Sequence, residues 1–171
     1  AQSEGSPRAE ALRQAKAEAQ RTGQPARLFT EFRYRTRKSW SRARRVIANI
    51  RSIGISLDTC TVPGSPKEVR IPKGRAELGL GIHGEAGVEQ IDYHGVRGAV
   101  AAMAERLATG MEDKPHVVLL NNLGGTSVLE MAVVVNELVQ SPIGARISHI
   151  VGPASMMTSL DMHGFSISVM P

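Results

Sequence analysis

The chain has 171 residues, enough for one domain, and 42% of them are hydrophobic, enough to build a core. Aromatic residues are only 4%, so that core must be aliphatic; the lone Cys60 excludes an internal disulfide and a multi-cysteine metal site and fits a reducing cytoplasm. The net charge of +5 is uneven: residues 1–51 carry 13 Lys/Arg against 4 Asp/Glu, or +9, and residues 52–171 carry 8 against 12, or −4.

From the N-terminus, residues 1–24 are rich in Ala, Gln, Glu and Arg, with only Leu12 as an apolar position in the helix-forming run Ala9 to Gln20, so a solvated tail is expected. Pro25 to Trp40 is basic with interleaved aromatics: Phe29, Phe32, Tyr34 and Trp40 among Arg27, Arg33, Arg35, Arg37 and Lys38. Arginines neutralise phosphates and aromatics stack on bases, so this is the one stretch where nucleic-acid binding can be argued, but it matches no module signature. Ser41 to Arg51 reads as a helix with Ser41 as N-cap and an apolar face of Val46, Ile47 and Ile50. Residues 1–41 are therefore expected to be a basic, flexible extension and 42–171 the folded domain.

Gly54 to Thr61 alternates as a strand, with Ile55, Leu57 and Thr59 on one face. Val62-Pro63-Gly64-Ser65-Pro66 is a turn, Lys67 to Arg75 a polar connection, and Ala76 to Ile82 a second strand. Gly95 to Thr109 is a helix with Val96, Val100, Met103 and Leu107 inward, stopped by Gly110. His116 to Leu120 reads as a strand buried on both faces. A loop over Asn121–Ser127, a helix over Val128–Val139 and a strand over Arg146–Gly152 follow. The end is an irregular Pro153–Gly164 and a strand over Phe165–Val169. Strands alternating with helices predict an α/β fold, a mixed sheet with helices packed on one face. No apolar run reaches membrane-spanning length, and the polar N-terminus lacks the apolar stretch of a signal peptide. Ala1 in place of a methionine, and a strand-like run ending at Pro171, create the expectation of a fragment, truncated at its C-terminus.

The densest chemistry lies at Glu77-Leu78-Gly79-Leu80-Gly81-Ile82-His83-Gly84-Glu85-Ala86-Gly87. Four glycines in nine residues each cost conformational entropy, and they flank one nucleophilic imidazole that backbone and substrate can then approach closely. Locally, a turn histidine reads the same way; the rest of the chain distinguishes the two. Asn121-Asn122-Leu123-Gly124-Gly125-Thr126-Ser127 follows a buried strand and opens a helix, where backbone N–H groups could meet a substrate or phosphate oxygen. No Gly-Lys-Ser/Thr follows, so it is not a Walker loop. His94, His116, His149 and His163 make no metal-ligand spacing, and no protein-bound metal is expected.

Together with Ser52 to Gly64 and Thr158 to Ser168, these two motifs resemble, in order, the second domain of the substrate-binding subunit of the dihydroxyacetone (glycerone) kinases. The resemblance runs from about Arg42 to Pro171. It implies that His83 holds dihydroxyacetone covalently as a hemiaminal for phosphorylation, with Gly81, Gly84, Glu85, Asn121 and Asn122 around the substrate. Such a histidine must be neutral and in one tautomer, so its other ring nitrogen needs an acceptor; Glu85 and Asp161 are the candidates. The resemblance places Cys60 before a Thr-Val-Pro turn, where a small buried residue fits. It further implies a first domain with a Gly-Gly-Gly-Ser-Gly-His-Glu-like segment, which this sequence lacks. ATP and magnesium would sit on another domain or subunit, or a phosphoprotein would be the donor; this chain would bind no cofactor itself. Pairing into a homodimer, a cytoplasmic location and an inactive isolated chain complete the expectations. A ketone-binding relic or regulator, and nucleic-acid binding through the basic segment, are the alternatives.

Overall fold

The structure, a computed structural model, describes residues 37–79 and 87–171. The chain divides into two compact units, residues 1–48 and 49–171. In the first, helix α1 spans Arg37–Asn49, so Ser41 lies inside it and is not its N-cap; no glycine or proline interrupts the run from Arg37 to signal a later start. The basic aromatic segment up to Thr36 lies outside the described residues.

Among the described residues, the second unit is a six-stranded sheet with two α-helices. The strands are β1 (Arg51–Ser56), β2 (Arg75–Leu78), β3 (Glu89–Asp92), β4 (His116–Asn122), β5 (Ile147–Ala154) and β6 (Gly164–Met170), in spatial order β3-β2-β1-β6-β4-β5. Helix α2 is Val96–Ala108 and α3 is Val128–Gln140. Only β4 and β5 run parallel, joined by α3; the other pairs are antiparallel. The mixed α/β fold expected from the strand–helix alternation is the one observed.

Register fixes which face holds the core. Ile55 lies opposite Phe165, Ile53 opposite Ile167, Val118 opposite Val169 and Leu120 opposite Ile167, which puts all seven side chains on one face. Ala99, Val100, Met103, Ala104 and Leu107 of α2, and Met131, Val134 and Leu138 of α3, join the same cluster. The opposite face carries Ser52, Gly54, Ser56, Ser166 and Ser168, with the hydroxyls of Ser52 and Ser168 2.6 Å apart. Strand β4 is therefore not buried on both faces as its apolar run suggested: Val118 and Leu120 are fully buried, but Val117 and Leu119 only half, because both helices pack on one side.

Two strand ends and one whole strand differ from expectation for local reasons. β1 ends at Ser56, five residues early, because the Ser56 hydroxyl donates to the Asp58 carbonyl and Thr59 turns back to donate to the Glu68 carbonyl. The Ile55-Leu57-Thr59 alternation thus imitated a longer strand. β2 ends at Leu78 and Gly79 takes φ 78°. β3 was not expected at all: Glu-Gln-Ile-Asp has one apolar residue and reads as loop, yet it pairs as the sheet edge. The turn at Val62 is as read, with Gly64 at φ 81° and Ser65 N–H donating to Val62 O. Among the described residues, no helix is long and apolar enough to cross a membrane.

Candidate functional site

Strands β2 and β3 form a hairpin, and the residues between Gly79 and Gly87 hold His83. His83, Gly81, Gly84 and Glu85 lie outside the described residues. The stems of that segment are described, and they are tightly built. Gly79 N–H donates to Gly54 O at 2.8 Å. At Gly87 a side chain has no room, since a Cβ would come within 2.8 Å of the Leu78 carbonyl oxygen.

Between the stems sits a buried carboxylate. The Glu77 side chain is 3% exposed. Its Oε1 accepts from Arg70 Nε at 3.0 Å and Gln90 Nε2 at 3.2 Å, and its Oε2 from Arg70 Nη2 at 2.8 Å and Gly87 N–H at 3.2 Å. Burial pushes this carboxyl up, but the Arg70 hydrogen bonds, the Gly87 N–H, the Gln90 amide and the Arg70 charge outweigh it and hold it below the usual range. The sequence carries a signal for this carboxylate, an acid between Ala76 and Leu78 in a strand, on a face that Ser56 shares.

The two asparagines expected in a loop are the last residues of β4, so their side chains leave on opposite faces. Asn121 Oδ1 accepts the N–H groups of Met156 and Met157, both at 2.9 Å, and its Nδ2 donates to Met157 O at 2.8 Å. Asn122 Oδ1 accepts Gly124 N–H at 2.8 Å and its Nδ2 donates to Thr126 O at 2.6 Å. Both amides close turns. The Gly-Gly pair is explained by close packing: a Cβ at Gly124 would lie 1.9 Å from Leu160 O, and one at Gly125 2.2 Å from Asp161 O. Nor do the N–H groups of Gly124, Gly125 and Ser127 await an anion. They donate to Asn122 Oδ1, Met162 O and Glu130 Oε2.

Helix α3 opens with a capping box, Ser127 Oγ accepting Glu130 N–H while Glu130 Oε2 accepts Ser127 N–H. The other Glu130 oxygen lies 3.0 Å from His163 Nε2. The Ser127 hydroxyl, then its backbone N–H, then the His163 ring hold Glu130 below the usual carboxylate range. Beside this pair a cavity of about 20 Å³, lined by Tyr93, Thr126, Glu130 and His163 among apolar side chains, has room for one water and not for a three-carbon ketone.

Asp161, one of the two candidate orienting groups, is committed to the loop that holds Thr61. Its oxygens accept Thr61 N–H at 2.6 Å and Thr61 Oγ1–H at 2.7 Å, and Lys67 Nζ stands 3.8 Å away. Lys67 also reaches Asp58 Oδ2 at 2.7 Å, while Asp58 Oδ1 accepts His163 N–H at 2.7 Å. The segments 57–67 and 158–163 are thus stitched together by three ionic side chains. His116 Nδ1 lies 2.6 Å from Lys114 O, and His94 and His149 are exposed. Cys60 is a free thiol, half-buried. Met103, Met131 and Met162 are core residues, whereas Met156 and Met157 are half exposed on the surface. Among the described residues no three His, Cys, Asp or Glu side chains converge as a metal site.

With this geometry in hand, the comparisons with known proteins are specific. A family model described as the Dak1 domain matches residues 35–171. A dihydroxyacetone kinase from Citrobacter freundii is 39% identical over 142 residues, covering 82% of this chain and 26% of that protein. A triokinase/FMN cyclase from Bos taurus is 35% identical over 131 residues, covering 70% of this chain and 22% of that one. The crystal structure of the C. freundii dihydroxyacetone kinase in complex with AMP-PNP and Mg2+ superposes with a TM-score of 0.75 at 38% identity, over 84% of this chain and 27% of the other. The chain spans about a quarter of the length of these relatives.

Proposed function

The chain belongs to the Dak1 domain family, and from that premise we propose that it is the substrate-holding domain of a dihydroxyacetone-kinase-type phosphotransferase. His83 is the residue that takes the ketone. Its neutral Nε2 adds to the carbonyl carbon of dihydroxyacetone. The carbonyl π pair moves to oxygen, which takes up a proton, and Nδ1 gives one up. One C–N bond forms, nothing leaves, and the adduct is a neutral hemiaminal. Glycerol, which has no carbonyl, is rejected by chemistry and not by fit.

What supports this reading is sequence position: His83 stands four residues from each of Gly79, whose N–H donates to Gly54 O, and Gly87, whose N–H donates to the Glu77 carboxylate. Glu85 is the acceptor proposed for its Nδ1, since both Asp161 oxygens already serve Thr61. Asn121 and Asn122 act at one remove, building the loops at the end of β4. A partner domain or subunit supplies the phosphoryl group, from ATP with magnesium or from a phosphoprotein, and transfer rests on positioning and charge neutralisation there. The chain by itself turns over ATP negligibly. Its free Cys60 thiol fits the cytoplasm.

The test is carbon NMR of the chain with dihydroxyacetone labelled at the ketone carbon. A new hemiaminal resonance that vanishes in His83→Ala is expected. No such resonance at saturating ligand would overturn the tether in this chain.

A further inference from the structure

Glu77 is a charged side chain where the sheet needs none. It stands on β2 between two core residues, opposite the buried Ser56. A carboxylate removed from water must find a counter-charge and donors for its lone pairs, or it destabilises the fold. Arg70 supplies the counter-charge and two parallel N–H bonds. The two remaining donors are Gln90 and the main-chain N–H of Gly87. Gly87 is the residue at which the chain returns from the His83 segment, and Gly79, where it leaves, follows Glu77 by two positions and is pinned to Gly54. One carboxylate therefore ties the return point of the segment to the strand from which it departs.

We propose that Glu77 is a positioning residue for His83: by accepting the Gly87 N–H while neutralised by Arg70, it sets the width and orientation of the stem from which the imidazole is presented to the ketone. The proposal rests on the reading of His83 as the tether. A purely structural role would need only that Glu77 and Arg70 satisfy each other. The extra bond to Gly87 is what reaches the site, and it commits the carboxylate to one position in the hairpin. Glutamine at this position keeps the shape but brings an NH2 against donors, and it removes the nearer of the two carboxylates beside Arg70, Glu68 standing 3.7 Å away. Aspartate keeps the charge on a stem one methylene shorter.

The experiment uses the full 171-residue chain, with Glu77→Gln, Glu77→Asp and, as a control on α2, Arg97→Gln, which breaks an exposed pair with Glu137. Three quantities are read in each: the affinity for ketone-labelled dihydroxyacetone from the hemiaminal signal, the proton-NMR titration of the His83 ring, assigned by its loss in His83→Ala, and the melting temperature. The expected result is at least a tenfold weaker hemiaminal affinity in Glu77→Gln, partial recovery in Glu77→Asp, and no change in Arg97→Gln. The His83 ring titration should shift in Glu77→Gln and not in Arg97→Gln. Equal hemiaminal affinity in wild type and Glu77→Gln would overturn the positioning role and leave the tether standing. If the wild type forms no hemiaminal, the tether reading fails, and the ring titration decides the rest. A His83 curve that moves in Glu77→Gln alone upholds the structural link, and superposable curves overturn it.

Discussion

Asn121 and Met157 exchange two hydrogen bonds, the side-chain amide oxygen accepting the Met157 N–H at 2.9 Å and the amide nitrogen donating to the Met157 carbonyl at 2.8 Å. The asparagine side chain thereby does for the segment after β5 what a strand backbone would do, and it takes the Met156 N–H as well. Asn121 itself is 5% exposed, so its amide has little water to fall back on. Truncation to alanine takes this partner from the Met157 N–H and carbonyl, while the Met156 N–H keeps the Ala154 carbonyl at 3.1 Å. Asn121→Ala should cost about 2–3 kcal/mol, measured by urea unfolding, and should speed amide exchange at Met156 and Met157. A variant within ~0.5 kcal/mol of wild type would contradict the assignment.

The Glu77 carboxyl lies below its ordinary value of 4.5 in the folded chain. A depressed pKa gives stability that is complete above the unfolded value and is lost as pH falls through the folded one. The wild type should therefore lose stability below about pH 4.5 more steeply than Glu77→Gln. Glu130 and Asp161 are displaced the same way and contribute equally to both proteins, so the difference between the two unfolding curves isolates Glu77. Parallel curves from pH 3 to pH 7 would show that the carboxylate is not paired as described.

Ser127 caps α3 through both halves of a capping box. Ser127→Ala should destabilise the chain by about 1 kcal/mol. Ser127→Asp, which keeps the acceptor, should recover part of the Glu130 N–H bond but set a second carboxylate beside Glu130, so it should fall between the two. Thermal melts of the three proteins order them.

Gly124 combines φ 124° with a Leu160 oxygen 1.9 Å from where a Cβ would stand. Gly124→Ala should therefore be far worse than a change of helical propensity, costing more than about 2 kcal/mol. Gly64, also at positive φ (81°) but with open space around it, should tolerate alanine better. Equal losses at the two positions would show that backbone conformation alone sets the cost.

What the sequence made legible follows from how each signal arises. Helix α2 repeats apolar residues every three or four positions, and its expected ends, Gly95 and Thr109, are the observed caps. β6 and β4 alternate or run apolar and were found within one or two residues. β3 gave no signal because an edge strand with one inward residue, Ile91, owes its form to the neighbour it pairs with. The His83 motif could be read because glycine spacing is local. The Arg70–Glu77 pair could not be, because a polar connection folds Arg70 back onto the strand and no periodicity records it. Asn121 and Asn122 attracted notice as site residues for the same reason that they build turns: a short amide can both accept from and donate to backbone.

The pairing of β1 with β6 has a consequence for how the chain is made. Ser52 and Ser168, neighbours in the finished sheet, are 116 positions apart in sequence. β6 lies between β1 and β4, so until it leaves the ribosome the sheet exists only as two unconnected ribbons, β3-β2-β1 and β4-β5, each with an apolar face exposed. At about 5–20 residues per second, the ribbon of β1 to β3 waits several seconds before β6 can join it to the other. Of the six described strands β6 comes last in chain order and completes the core, so this domain should depend most on chaperones before β6 emerges.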